Sequence, residues 1–521
     1  MQRIIREACP EQEAPTSTMV IAGGGQVTEI LKIVRGDGKM ADLISGNKHK
    51  YFVLLIMILI IFLSLSACGY SSDKQPGSGT ARADQKEVHV AVNGSDTSGK
   101  GTPDAPFATA SAAAKAEPGS LIIIHGGDYA PLEFGPECSG NEDSPTTIIA
   151  AEGEKVIVHA GDGTGILLSD ASYISVKGLE TVGGKYGIDY RSTRKSGKRP
   201  LQGISIINCT VHGVRGVHGI CVYAENDLVP VTDLTVKGCE IFDCKCGDSE
   251  SLVLNGNIEE FLIEGNSVHD NNNIGIDMIG FEGTAKHIAE ESNQNMYDSD
   301  FVRKGICRGN IVYNISTEGN PAYYEDGEYD PCADGIYVDG GQDIEICSNF
   351  IFNCDIGLEV ATEHNPDDNE LFRVSGIRVH DNVITDCSGW TGLCFGGYDE
   401  NRGFTEECTF DHNTLENNDV QIGIQKSKNN HIYSNLIIGG KTGVEFSEEC
   451  KKSDMVNEIR NNVCAELEDA GSWKEEYGKV FTDRAQAAKG FRSLIRGAGS
   501  RFIPDENMME KYKEKTNGIN K

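Results

Sequence analysis

Apolar and polar residues alternate in short runs along most of the chain, and the runs recur in one order. Alternating apolar residues lead to Asn or a substitute, then to a second apolar pair, a turn, and Gly-apolar-x-apolar. Ile344-Glu345-Ile346-Cys347-Ser348-Asn349-Phe350-Ile351 and Ile377-Arg378-Val379-His380-Asp381-Asn382-Val383-Ile384 are two copies. Aligned on the Asn position, the column reads Leu179, Cys209, Cys239, Asn266, Asn310, Asn349, Asn382, Asn413, Asn435 and Asn462. Most steps lie between 22 and 33 residues, with two long ones of 44 and 39. Strict alternation sends one side chain in two into a core, and a repeat of this period is one coil of a solenoid. The pattern predicts an all-β fold, a right-handed parallel β-helix over residues 88–465. Stacked Asn amides both donate and accept, so the column can satisfy itself inside the turns. Five residues further on, Cys244, Asn271, Cys354, Cys387 and Asn418 read as a second inward column, with the Cys as small packing residues.

Both ends depart from the repeat. Val88-His89-Val90-Ala91-Val92 predicts a strand and Ala110 to Ala116 a short helix, placed to cap the first coil. After about residue 465 the repeat fades. Residues 466–521 are expected to form a small helical carboxyl-terminal cap and tail, with one or two helices between Trp473 and Arg496. At the amino end, Tyr51 to Ala67 is an apolar run behind Lys48, His49 and Lys50. It ends in Leu65-Ser66-Ala67-Cys68, which resembles the lipobox of bacterial lipoproteins. By that resemblance residues 40–68 are a signal peptide and Cys68 is the lipidated residue. Residues 1–39 then form an upstream extension and residues 69–87 a flexible tether. The expected location is the cell envelope, lipid-anchored, with the mature domain exported and the lipid as its sole membrane contact.

Composition narrows the choice of partner. Against 79 Asp and Glu stand 47 Lys and Arg, a net charge of -32. Such a surface repels nucleic acid. The 17 Cys lack the paired spacings of a zinc site. A monomer acting on extracellular polysaccharide is the expectation.

Candidate chemistry lies where outward positions of neighbouring coils align. The x of Gly-apolar-x-apolar gives Asp189, Cys221, Asp277, Tyr337, Glu359, Cys394 and Glu445. Asp339, two residues past Tyr337, faces the same way. The two long steps add residues 281–304 and 316–333 beside these acids, and long insertions on a solenoid become loops. They bring Tyr323 and Tyr324, whose rings suit sugar stacking. Substrate contacts are expected from Asp277, Tyr337, His364, Tyr323 and Tyr324. Strand spacing places the Asp339 and Glu359 Cα atoms roughly 8 Å apart, which suits a two-carboxylate glycosidase. Glu325, Asp326, Glu328, Asp330 and Asp334 form an acidic set that suits Ca²⁺, the one cofactor considered. The basic loop from Arg191 to Arg199 is either a grip for an anionic glycan or a charge-balancing surface loop.

Two resemblances rest on these motifs. Strand 88–92, Asn93-Gly94-Ser95-Asp96, the Ala-rich helix and the coils together resemble family 9 pectate lyases over about residues 88–465. That family carries a Lys base shortly after an Asp-Gly, and Asp334-Gly335-Ile336-Tyr337-Val338-Asp339 has none. Residues 335–364 resemble the catalytic stretch of family 120 β-xylosidases, with Gly335-Ile336-Tyr337-Val338-Asp339, then Glu359-Val360 and His364. That resemblance implies Asp339 as nucleophile and Glu359 as acid/base. The resulting expectation is a surface lipoprotein that cleaves polysaccharide by hydrolysis. The alternatives are a Ca²⁺-dependent polysaccharide lyase and a non-catalytic glycan-binding or adhesion solenoid.

Overall fold

The computed structural model describes residues 85–288, 295–325, 327–451, 455–481, 483 and 504–519. The upstream extension, the expected signal peptide, Cys68, residues 69–84 of the tether and Asp326 lie outside them, whereas Glu87 of the expected tether begins the first strand. The chain winds as a right-handed parallel β-helix, each coil passing in turn through three long sheets. The first sheet runs from Glu87–Val90 to Glu458–Arg460, the second from Gly127–Tyr129 to Gly478–Phe481, and the third from Leu132–Phe134 to Thr442–Phe446.

Alternation fixes the core. In the first sheet Val176, Ile206, Val236, Ile263, Cys307, Ile346, Val379, Phe410 and Ile432 pair in unbroken register, and all are fully buried. The turn into the second sheet repeats one geometry. The residue before each ladder position has positive φ, whether it is glycine (Gly178, Gly238, Gly265, Gly309) or not (Asn208, Ser348, Asp381, His412, Ser434, Asn461). The reversal itself therefore demands the left-handed conformation, which non-glycine residues adopt at some strain.

The predicted Asn column is present. Asn266, Asn310, Asn349, Asn382, Asn413 and Asn435 each donate through Nδ2 to the Oδ1 of the next Asn, at 2.9–3.1 Å. The same Oδ1 accepts the backbone N–H of the Asn above it. The second column is buried too, with Asn271 Oδ1 accepting from Cys244 N and Asn418 Oδ1 from Cys387 N. The cysteines of both columns are free thiols.

The helix Ala110–Ala116 forms where predicted. Thr109 caps its amino end, and Ala110, Ala113 and Ala114 enter the core. At the other end Trp473 and Tyr477 close the core, and Gly478–Phe481 adds a strand to the second sheet beyond residue 465. The helix Glu506–Ile519 does not sit on the last coil. It lies along the flank of the second sheet, where Met509 packs on Ile311, Tyr313, Phe350, Phe352 and Val383. That flank carries a ladder of stacked rings, His212, Phe242, His269, Tyr313 and Phe352, with centroids 4.6–5.3 Å apart. An outward apolar stack needs a cover, and Tyr512 meets Phe352 edge-on.

Asn382→Ala removes the acceptor of the Asn349 N–H and amide and takes the side-chain donor from Ile346 O and Asn413 Oδ1, the latter keeping the residue-382 backbone N–H. Unsatisfied buried groups of this kind cost about 1–3 kcal/mol each, so a loss on the order of 3 kcal/mol is expected by chemical denaturation. A midpoint equal to wild type would refute the ladder as a stabilising element.

Candidate active site

The third sheet carries the acids. Its outward column follows the register Asp189, Cys221, Val253, Asp277, Tyr337, Glu359, Cys394, Gly423, Glu445. Val253 and Gly423 fill the two coils that the sequence column skipped. Asp339 pairs with Ala361, so Glu359 stands diagonally across from it on the next strand. Close approach of the coils is possible because Gly335 and Gly357 are the second residues of these strands. A Cβ on Gly335 would lie 2.7 Å from Gly357 O, and one on Gly357 2.3 Å from Gly392 O.

Beside this column opens a cleft of about 630 Å³, with Asp334, Tyr337, Glu359, Tyr323, Trp390 and Tyr398 in its walls. Asp277 and Asp339 stand next to it on the same sheet face rather than among its lining residues. Asp339 Oδ1 accepts the Glu363 N–H at 3.2 Å, and Glu363 does line the cleft.

The group is a concentration of buried negative charge. Burial, then the charge of Asp339 and Glu363, pushes the Glu359 carboxyl up to about 7. Burial, then Glu363, pushes Asp339 up to about 7. Asp334 is driven well above the carboxylate range, first by burial and then by the charge of Glu359. Asp277 is 2% exposed, its Oδ1 has no hydrogen-bond partner, and burial with Glu250 and Asp339 raises it well above the carboxylate range. Glu250 is lifted to about 8, first by burial. His364 is a countercharge beside the cluster, and Arg402 pairs with Glu363 at its edge. Burial opposes the His364 proton, but Glu282 (3.2 Å from Nε2) and Asp339 hold it above its ordinary value. Like-charged neighbours cannot all ionise together, so several of these acids hold protons near neutrality.

The predicted residues divide. Glu359, Tyr337, Tyr323, Asp277, Asp339 and His364 come together. Tyr324 does not: it is exposed in a hairpin, paired with Tyr329 and 6.0 Å from its ring. The acidic set proposed for Ca²⁺ also separates. Asp330 and Asp334 both line the cleft, Asp334 buried on the third sheet, whereas Glu328 is exposed in the hairpin. The hairpin Tyr324–Glu325/Glu328–Tyr329 closes on itself, with Glu328 exposed. The basic loop is neutralised locally. Arg191 pairs with Asp189 and Glu225, and Arg194 with Asp227. Lys286 donates to Tyr297 OH, while Arg303 and Lys304 pair with Glu259.

Sequence reasoning missed Glu250, Glu282, Glu363, Trp390 and Tyr398, all of them in connections between strands. Trp390, one of only two Trp in the chain, was the visible signal.

Fold and site define a pectate-lyase-like parallel β-helix protein with a buried acidic face. Residues 291–481 match the family model described as Periplasmic copper-binding protein (NosD). Over 475 residues the chain is 31% identical to Uncharacterized protein YwoF of Bacillus subtilis (strain 168), covering 85% of this chain and 93% of that protein. The chain belongs to the same family as YwoF. Among solved structures, a GH136 lacto-N-biosidase from Eubacterium ramulus is 14% identical with a TM-score of 0.51, covering 73% of this chain and 67% of that one. Pectate lyase Pel9A is also 14% identical, with a TM-score of 0.40 and coverage of 81% and 91%. The likeness to the lacto-N-biosidase is one of fold.

The raised acids set a pH dependence. Unfolded Asp and Glu titrate near about 3.9 and 4.3, so from there up to about 7 the folded chain binds more protons than the unfolded one. Stability therefore falls as pH rises through that window. The Asp339→Asn/Glu359→Gln double variant is expected to melt higher than wild type at about pH 8 and to lose less stability between about pH 5 and 8. Identical pH profiles would contradict the buried-acid description.

Proposed function

We propose that this protein is a lipid-anchored envelope glycosidase that hydrolyses extracellular polysaccharide at the third-sheet face. One observation carries the reading: two carboxyl groups, held on adjacent strands of a rigid sheet beside an aromatic-lined cleft, both lifted to about 7. Glycoside hydrolysis needs one acid protonated and its partner ionised. Two coupled acids titrating around neutrality supply that state.

In this reading Glu359, half-buried in the cleft wall, protonates the glycosidic oxygen. Asp339 is the ionised partner, acting as nucleophile in a retaining reaction. Diagonal register puts their Cα atoms roughly 8 Å apart, so their carboxyls can straddle a sugar ring. Asp334, buried in the same strand as Asp339, adds a third acid beside Glu359. Trp390, Tyr398, Tyr323 and Tyr337 offer ring faces for the sugars. Elimination is less well supported. Its base is usually Lys or Arg, and Lys286, Arg303 and Lys304 are engaged with Tyr297 and Glu259.

The test uses the full-length chain with pectic, xylan and alginate polymers, with and without Ca²⁺. New reducing ends and the ultraviolet absorbance of unsaturated uronates are followed together. Reducing ends alone, falling at least about 100-fold in Glu359→Gln and similarly in Asp339→Asn, are expected. Both signals rising, and lost with chelator, would replace hydrolysis by elimination. Glycan binding without either signal would make the protein a non-catalytic binder.

A further inference from the structure

The outer face of the first sheet holds a second chemical cluster, unconnected with the cleft. Glu345 and Cys347 project from the strand Glu345–Cys347, and His380 from the strand Arg378–His380 of the next coil. Alternation sends Ile346 and Val379 inward and leaves these three outside. Their ligating atoms all lie within 4.8 Å of one another, the only such trio among the described residues. His380 Nε2 is 2.7 Å from Glu345 Oε1.

We propose that Glu345, Cys347 and His380 bind a borderline divalent transition metal of the Zn²⁺ type, with water in the remaining position. The donor set is one thiolate, one imidazole and one carboxylate, the mixture that selects Zn²⁺ over hard Ca²⁺ or Mg²⁺. Metal–ligand bonds of about 2.0–2.3 Å place tetrahedral donors about 3–4 Å apart, so small rotamer changes suffice.

Two further features point the same way. Asp381 Oδ2 lies 2.8 Å from His380 Nδ1. A carboxylate at one ring nitrogen orients the imidazole and frees the other nitrogen for a metal, an arrangement typical of His ligands. The nearby cations are also committed elsewhere. Arg378, in register with Glu345, pairs with Asp411, and Arg308, in register with Cys347, pairs with Glu264. Neither neutralises the trio. Cys347 is 9% exposed and the His380 side chain 12%, while Glu345 is 43% exposed. The thiolate and imidazole are thus shielded, and the open side faces water through Glu345. The metal would tie the coil that carries Glu359 to the coil that follows it.

The full-length chain would be titrated with Co²⁺ and, separately, with Zn²⁺ under reducing conditions. The expected result is one ion per chain at this site, with Co²⁺ giving a thiolate charge-transfer band and the intense visible bands of tetrahedral geometry. Cys347→Ser, nearly isosteric, should abolish the charge-transfer band, and His380→Ala should lower Zn²⁺ affinity at least tenfold. Asp381→Asn should weaken it by about 10–100-fold. Zn²⁺ should raise the melting temperature of wild type and not of Cys347→Ser. A band that survives Cys347→Ser would assign the metal to another thiol such as Cys332 or Cys450 and overturn the proposal. Absence of Co²⁺ and Zn²⁺ binding in wild type would leave the trio a hydrogen-bonded surface group and equally overturn it.

Discussion

The buried amide column holds the molecule in register. At each coil the chain must reverse from the first sheet to the second inside an apolar core, where an unpaired amide is penalised heavily. Asn resolves this by pairing with its own copy in the next coil, once through the side chain and once through the backbone N–H. The reversal also forces the preceding residue into a left-handed conformation, and Ser348, Asp381, His412, Ser434 and Asn461 accept it without being glycine. A one-residue slip anywhere would break both the ladder and the inward alternation. The constraint is thus shared by every coil, and it sets which side chains face outward on all three sheets.

That rigidity explains how the third sheet tolerates its acids. Asp277, Asp339 and Glu359 are held side by side by main-chain pairing, and Asp334 at the start of the Asp339 strand is held with them. They do not relax apart to lower their mutual repulsion. The response left to them is proton uptake, and the upward shifts of all four follow from it. A solenoid stores such strain locally, because each coil contacts only its neighbours and the apolar core beneath is continuous. The face can therefore be electrostatically unfavourable without the fold being so.

The same logic decides what could be read from sequence. Positions fixed by the two-residue alternation were legible: the Asn column, the inward Cys and the outward Asp277, Tyr337 and Glu359 all fell in the predicted register. Side chains from connections were not, since loop length says nothing about where a loop folds back. Glu250 and Glu363 reach the acid cluster, and Trp390 the cleft wall, from such connections. Conversely, Tyr324 and Glu328 lie close in sequence to Asp334 yet leave the site, because Tyr324–Glu325 and Glu328–Tyr329 pair with each other as a hairpin. The helix Glu506–Ile519 posed the same difficulty. Its docking place is the apolar flank of Ile311, Tyr313, Phe350, Phe352 and Val383, outward positions that the repeat does not specify.

Each face of the solenoid thus carries separate chemistry on one scaffold. The second sheet's outward rings are covered by a helix from the same chain, so that flank is already partnered. The third sheet presents acids beside an open cleft whose aromatic walls come from connections between coils. Because the ladder fixes coil spacing at the turn between the first and second sheets, changes to these connections leave the register of the acids intact. The cleft walls can then vary through residues such as Trp390, Tyr398 and the insertion bearing Tyr323, while the placement of Asp339 and Glu359 follows from the frame. A family sharing this frame would be expected to retain the ladder and the outward acids more faithfully than the loops that surround them.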